Sequence, residues 1–315
     1  MDVLYSVRIN NFFHLVEKLC WLANIKNTKS VFSKQTYGNI KLTFLVCYRE
    51  KLNVSYRRFV QICDENNLQH MLCLKRIPHY TTLQKFVQRT PKTLFEKLVR
   101  ACRKLLNLKE VDASIDGTGF SNTNPSHYYI KRSTEQNKEI KVKNYTKTMF
   151  LADIKTKLIL NVKTFSDNTA ETTQFKQMIQ EIYDSLRSVL ADMGFDSLSN
   201  REHCWKHSIE CHIPFRKWKT QQNKLGKQHY SAKRRRALSR FNKQKYNYRV
   251  IIESINSAIK QTLGGFVRAK TALNQQKTVT IKAITYNIEH INQTIKITLY
   301  INYYRFLHRK KQAKV

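Results

Sequence analysis

At Glu110 the spacing of apolar residues changes from that of helices to that of strands, and this switch divides the chain in two. Before it, apolar residues recur every three or four positions in LYSVRINNFFHLVEKLCWLA, TFLVCYREKLNVSYRRFVQICDEN and TTLQKFVQRTPKTLFEKLVRACRKLL, the period of amphipathic helices. Pro78 and the Thr81-Thr82 pair mark a loop and a helix start. Residues 1–108 are therefore expected to form a helical region whose polar faces carry Lys51, Arg57, Arg58, Lys85 and Arg89, a set suited to contacting DNA. After the switch, VDASIDGTGF alternates with period two and predicts a strand that stops at Asp116, where a Gly-containing turn begins.

Further on, YTKTMFLADIKTKLILNVKTFS (145–166) reads as a hairpin turning at residues 153–157. Residues 170–186 read as an amphipathic helix, with Phe175, Met178, Ile179, Ile182 and Leu186 on its apolar side. A strand over SVLADMGF, a polar helix and a strand through CHIPFR follow. Strands alternating with helices on a mixed sheet predict an α/β domain.

Charge is the second strong constraint. The 315 residues hold 57 Lys and Arg against 22 Asp and Glu, a net charge of +35. An excess of that size opposes compaction and calls for a polyanionic partner, most commonly nucleic acid. The seven cysteines form no CxxC pair, which fits reduced thiols inside a cell. The N-terminus lacks a small-residue cleavage site, and no apolar run nears the roughly 18 residues of a membrane span, so a cytoplasmic protein is expected, associated with the nucleoid when on DNA.

From Cys211 to Ile252 there is no acidic residue, and Arg216 to Arg249 carries thirteen Lys or Arg in 34 residues, including Lys233, Arg234, Arg235 and Arg236. Trp218, Tyr230, Phe241 and Tyr246 are interleaved with these cations, a pattern for an arm that tracks phosphates and stacks on bases. Glu253 ends the acid-free run. On a helical wheel, Tyr246, Arg249, Glu253 and Lys260 share one arc of about 60°, opposite Ile251, Ile252, Ile255 and Ile259. Arg249 and Glu253 also have the spacing of an ordinary i,i+4 ion pair.

Two aspartates, Asp116 in IDGTGF and Asp192 in LADMGF, stand where strands are expected to run into turns. Two strand-end aspartates and a helical glutamate meeting at one point repel one another unless cations fill the site. Mg²⁺ or Mn²⁺, as a pair of ions, suits such hard oxygen ligands and supports in-line phosphoryl displacement.

DGTG at 116–119, D-x-G-F-D at 192–196 and the Tyr-x2-Arg-x3-Glu-x6-Lys string at 246–260 resemble the motifs of DDE transposases of prokaryotic insertion sequences, in the group defined by that last signature. The resemblance spans roughly residues 108–290. It implies a ribonuclease H-like core over 109–290, with the basic arm 216–245 inserted before the catalytic helix and 291–315 as a C-terminal extension. It further implies that Asp116, Asp192 and Glu253 are catalytic metal ligands. Tyr246, Arg249 and Lys260 would then grip phosphates at the transposon ends, which are cut at inverted repeats and joined to target DNA. Pairing two ends implies a dimer on DNA, with no small-molecule cofactor and no membrane. Only about 30 residues separate the last strand from the Glu253 helix, so a large β-rich insertion is not expected. Two other readings stand beside this one: a domesticated or inactive DNA-binding copy, and a ribonuclease H-like nuclease without strand transfer.

Other clusters carry less. Cys204, His207 and Cys211, with His203 and His212 beside them, have zinc-like spacing, yet they fall where a helix is expected to turn into a strand. Asp112 is expected to share a strand face with Asp116 and ranks below it as a ligand. Asp167 reads as a helix cap, and Asp153 and Asp196 lie near other turns.

Overall fold

A computed structural model of the chain describes residues 3–28, 36–122, 132, 135–136, 145–165, 171–216 and 232–312. The N-terminal stretch is helical as its periodicity predicts: α1 (Val3–Leu22), α2 (Asn39–Leu52), α3 (Tyr56–Glu65), the single turn α4 (Leu68–Met71), α5 (Tyr80–Arg89) and α6 (Lys92–Leu105). Ser55 caps α3 by accepting from the Arg58 amide, satisfying one of the free N–H groups at the helix start. Phe12, Phe44, Tyr48 and Phe59 fill the space between these helices with edge-on and stacked rings 5.5–6.1 Å apart. Cys20, Cys47, Cys63 and Cys102 are buried among them as small core residues, while Cys73 is exposed.

The second part is a five-stranded mixed sheet in the order β3-β2-β1-β4-β5. Its strands are β1 (Val111–Ser121), β2 (Tyr145–Asp153), β3 (Ile159–Phe165), β4 (Leu186–Ala191) and β5 (Glu210–His212). β1 pairs antiparallel with β2 and parallel with β4, and β4 pairs parallel with β5. α7 (Glu171–Gln180) and α8 (Leu198–Lys206) belong to one side of the sheet; α11 (Val250–Leu263) and α12 (Ala272–Gln312) belong to the other. The short helices α9 (Ala232–Ser239) and α10 (Lys243–Asn247) precede α11. This is the expected α/β class, a mixed sheet with flanking helices preceded by a helical region.

Alternation along the strands builds two cores. Val111, Ala113, Ile115, Met149, Leu151, Val189 and Ala191 face Phe175, Met178 and Ile179 of α7. Phe120, Phe150, Ile159 and Val162 face the other way, against Ile252, Ile255 and Ile259 of α11 and Ile281, Ile284 and Ile288 of α12. That second core continues without a break into the N-terminal helices. The expected boundary near residue 108 is thus a change of secondary structure and not a gap in the hydrophobic interior. Asn287 of α12 donates to the Ile159 carbonyl and accepts from its amide, so the edge strand β3 is covered.

Three expectations need correction. β1 does not stop at Asp116: it runs to Ser121, with Gly117 opposite Met149 and Gly119 opposite Lys147. A long pairing with β2 holds the chain extended through both glycines. At Gly119 a Cβ would sit 3.0 Å from the Tyr145 ring, a tight approach that the glycine leaves open. The helix expected over 170–186 ends at Gln180; Ile182 lies in the turn after it and Leu186 starts β4. The helix expected from Tyr246 begins at Val250, with Arg249 as its N-cap residue and Tyr246 on the separate α10.

Buried charge fastens α12 to the N-terminal helices. Lys282, 1% exposed, shares the Glu50 carboxylate (3.1 Å) with Arg49, and donates to the Leu263 carbonyl at the end of α11. Burial, then the nearby Arg49 and Arg268, push the Lys282 ammonium down to about 7 from its ordinary 10.5. Between those two pH values the unfolded chain binds a proton that the folded chain does not, so stability rises with pH across this window and is flat in this respect below it. Urea unfolding at pH 7.5 and 9.5 is expected to show a smaller pH-dependent gain for Lys282→Met than for the unsubstituted chain. An unchanged gain would contradict the depressed ammonium.

Candidate active site

Asp116 lies in the second half of β1, opposite Phe150 of β2, and Asp192 is the first residue beyond β4. Their relation follows from the parallel register. Ile115 pairs with Ala191, so the next positions on the two strands are Asp116 and Asp192. The Asp192 backbone is still extended (φ −67°, ψ 163°), and the alternation that turns Ile115 and Ala191 into the α7 core turns both aspartates to the opposite face. Adjacent strands are about 4.8 Å apart, so the two carboxylates spring from neighbouring backbones.

That opposite face is the one α11 covers. Ser114 Oγ donates to the Arg249 carbonyl (3.4 Å) at the start of the helix, and Ser121 N donates to the Gly265 carbonyl (2.9 Å) beyond its end. The seven strand residues and sixteen helix residues between these ties each span about 23–24 Å, so α11 runs beside β1 in the same direction. Gly264 ends the helix at φ +81°, and a Cβ there would lie 2.6 Å from the Asn53 side chain, which only glycine avoids.

Along this helix three side chains act on Asp116, namely Asn256, Arg249 and Lys260, and Glu253 is paired with one of them. Asn256, 8% exposed, donates its amide to Asp116 Oδ2 at 3.2 Å, while its own Oδ1 is buried without a partner. Glu253 is one turn earlier and half-exposed, its carboxylate 2.5 Å from Arg249 Nη2. Burial opposes the Arg249 charge, but the Glu253 hydrogen bond, with the charges of Glu253, Tyr246 and Asp116, raises its pKa overall. Lys260 stands 5.7 Å from the centre of the Phe120 ring; burial lowers its pKa and Asp116 pulls it back up. Among the described residues no three His, Cys, Asp or Glu side chains are grouped as a ready metal site. The Glu253 carboxylate is drawn along its own helix to Arg249 instead.

The donor set fits a hard divalent cation: two aspartate positions in register, a glutamate one helical turn from the residue that holds Asp116, and a buried amide oxygen lacking a donor. Asn256 was not singled out in the sequence, because a polar residue three positions after Glu253 looks like part of the solvent stripe. Its signal is its place at the border of the wheel, between Ile252 on the apolar side and Arg249 on the polar stripe.

Other expected residues are engaged elsewhere. Asp112 accepts from the Ser188 hydroxyl (2.5 Å) and the Arg187 guanidinium, which hold its carboxyl below the usual range against the opposing effect of burial. Asp153 caps its hairpin turn through Thr156 N (2.9 Å) and Oγ1 (2.6 Å). The Cys/His run divides in two. Cys204 and Cys211 face each other in the core, whereas His203 and His207 pack ring on ring 4.9 Å apart, so no zinc set forms among the described residues. Asp167 and Trp218 lie outside the described residues.

The basic arm is tied at its base. The buried Asp196 accepts from Arg201 (2.9 Å) and Arg234 (2.8 Å), and its Oδ2 also receives the Arg216 amide (2.8 Å). Arg234 donates to the Arg216 carbonyl as well, at 3.1 Å. Lys233 pairs with Glu202 (2.7 Å), while Arg235 and Arg236 are exposed on α9. Asp196→Ala leaves the 2%-exposed Arg201 without its anion and is expected to cost about 3–5 kcal/mol in urea unfolding. Asp112→Asn, whose partner Arg187 is half-exposed, is expected to change stability by about 1 kcal/mol or less.

The family model described as transposase DDE domain matches residues 108–288, which includes both aspartates and α11. Among curated proteins no match was found. Among solved structures, a cryo-EM structure of the piggyBac transposase synaptic complex with hairpin DNA is similar at a TM-score of 0.46 and 10% identity, over 92% of this chain and 75% of that one. With more than half of its length inside the family model, the chain belongs to the DDE-domain transposases.

Proposed function

We propose that Asp116, Asp192 and Glu253 are the acidic residues of this transposase, holding two divalent cations, Mg²⁺ or Mn²⁺, at the point where β1, β4 and α11 meet. The observation that carries the proposal is the parallel register, which sets Asp116 beside Asp192 on the face that α11 covers. DDE transposases generally use divalent metal ions. Bound here, such ions supply Lewis-acid activation of the attacking oxygen and charge neutralisation at the leaving oxygen.

The chain's own residues do the rest. Asn256 holds the Asp116 carboxylate by its amide, fixing which oxygen faces the cleft. Arg249 and Lys260 flank Glu253 along α11 and present cations where phosphate oxygens of the strand being cut would lie, with Tyr246 placed before them on α10. Arg249 releases Glu253 when a phosphate takes over its guanidinium, so substrate binding and closure of the acidic site are linked. No Ser, Cys or His nucleophile is required. The Tyr-x2-Arg-x3-Glu-x6-Lys spacing supports placement in the insertion-sequence group that carries it, with cleavage at inverted repeats followed by strand transfer from the freed 3′-hydroxyl. Synapsis of two ends calls for two copies of the chain on DNA. Arg235 and Arg236 are the exposed cations of α9 and extend the phosphate-binding surface.

Supercoiled-plasmid cleavage in Mn²⁺ tests the site: Glu253→Gln and Asp116→Asn are each expected to lose at least a hundredfold in rate while retaining DNA binding. Activity equal to that of the unsubstituted chain would remove the assignment. Asn256→Ala is expected to keep binding and lower the cleavage rate about tenfold, with partial rescue by raised Mn²⁺ concentration, which a purely structural role would not give. Joined donor–target products distinguish a transposase from a nuclease that stops at cleavage.

A further inference from the structure

Where the N-terminal helices meet the loop leaving α11 there is a cavity of about 520 Å³. Its walls come from both parts of the chain: Arg49, Tyr56, Arg57 and Tyr80 from α2, α3 and α5, and Arg268 and Lys270 from the loop between α11 and α12. Four cations and one carboxylate line it, and that carboxylate, Glu50, is already shared by Arg49 and Lys282. Arg49 is buried to 5% exposure, with its Nε lacking a partner. Its guanidinium lies 4.0 Å from the centre of the Tyr56 ring, and that of Arg57 lies 5.1 Å from the centre of the Tyr80 ring. Arg57 and Arg268 are exposed, while the two phenol rings are half-buried.

The walls are fastened to each other. Lys277 of α12 donates to the carbonyls of Val87 (3.1 Å) and Gln88 (2.8 Å) near the end of α5, and Arg268 donates to Asn53 Oδ1 (2.9 Å) after α2. A cavity held this way is formed before anything enters it, so little ordering accompanies binding.

Cations beside flat rings select a ligand with phosphate and a π face. The volume corresponds to a cube about 8 Å on a side, within the range of small-ligand sites and too small to admit a duplex. We propose that this cavity takes an unpaired nucleotide of a DNA strand, its phosphate on Arg57, Arg268 and Lys270 and its base against Tyr56 and Tyr80. The inference uses DNA as the substrate and does not depend on the assignment of the acidic residues.

Its position suits a strand running from the acidic site. Phe266, which also lines the cavity, bridges to Ser121, five residues beyond Asp116 on β1. That is about 17 Å along the strand. Lys260 stands between the two places, beside Phe120 and Gly265.

The test is fluorescence anisotropy on the full chain without added divalent cation, so that cleavage does not enter. A random ten-nucleotide strand, its duplex and thymidine monophosphate serve as probes. The Arg57→Ala/Arg268→Ala double variant, checked for an unchanged melt and accompanied by Arg57→Ala alone, is expected to lose about tenfold in single-strand affinity and under threefold on duplex. Tyr80→Leu is expected to lose severalfold on the single strand, with Tyr80→Phe restoring it. An iodouracil-substituted strand is expected to crosslink to peptides containing Tyr56 or Tyr80. Equal losses on single strand and duplex, no loss at all, or crosslinks confined to other peptides would overturn the proposal. Displacement of the ten-mer by an equimolar amount of the monophosphate would overturn it too, by making this a free-nucleotide pocket. None of these readouts moves if Asp116, Asp192 or Glu253 has been misassigned.

Discussion

The parallel pairing of β1 with β4 is the constraint on which the rest of the molecule depends. Ile115 beside Ala191 seals one face of the sheet against α7, and the same register turns Asp116 and Asp192 to the other face. A slip by one residue would put a carboxylate into the α7 core and an isoleucine under α11, so burial on both faces enforces the register. The acidic pair is thus held in place by the apolar residues next to it. α11 lies along β1 because its isoleucines complete the second core, and in lying there it brings Asn256 against Asp116.

Electrostatics then works at two scales. Over the whole chain, a net charge of +35 favours contact with a polyanion. Locally, some of the scarce carboxylates are matched to two cations. Glu50 joins Arg49 and Lys282 where the N-terminal helices meet α12, and Glu181 joins Arg100 and Lys163 where α6 meets β3. These pairs sit at seams between elements far apart in sequence, so they fix how the helical region and the sheet dock. Burial weakens the Lys282 ammonium first, and the neighbouring Arg49 and Arg268 weaken it further.

Much of the architecture is readable from periodicity alone, because amphipathic helices and half-buried strands carry their pattern in adjacent residues. Glu253 stands out for a similar local reason, as the first acidic residue after a long cationic run. What escapes a one-dimensional reading is whatever a distant partner decides. β1 extends through Gly117 and Gly119 because β2 supplies a ladder for it. Tyr246 leaves the helical stripe because the chain breaks between α10 and α11. Asp196 looks like one more turn residue until Arg201 and Arg234 arrive from later in the chain, and Asn256 looks like a solvent-facing amide until Asp116 is found beneath it. The cavity between the two parts of the chain has no sequence signature, since its six functional side chains come from four segments.

Asp196 bonds both Arg216 and Arg234, and so brings together two points with 17 residues between them. Arg201 of α8 takes the same carboxylate, so Arg216 and Arg234 are fastened to one buried point at the edge of the sheet.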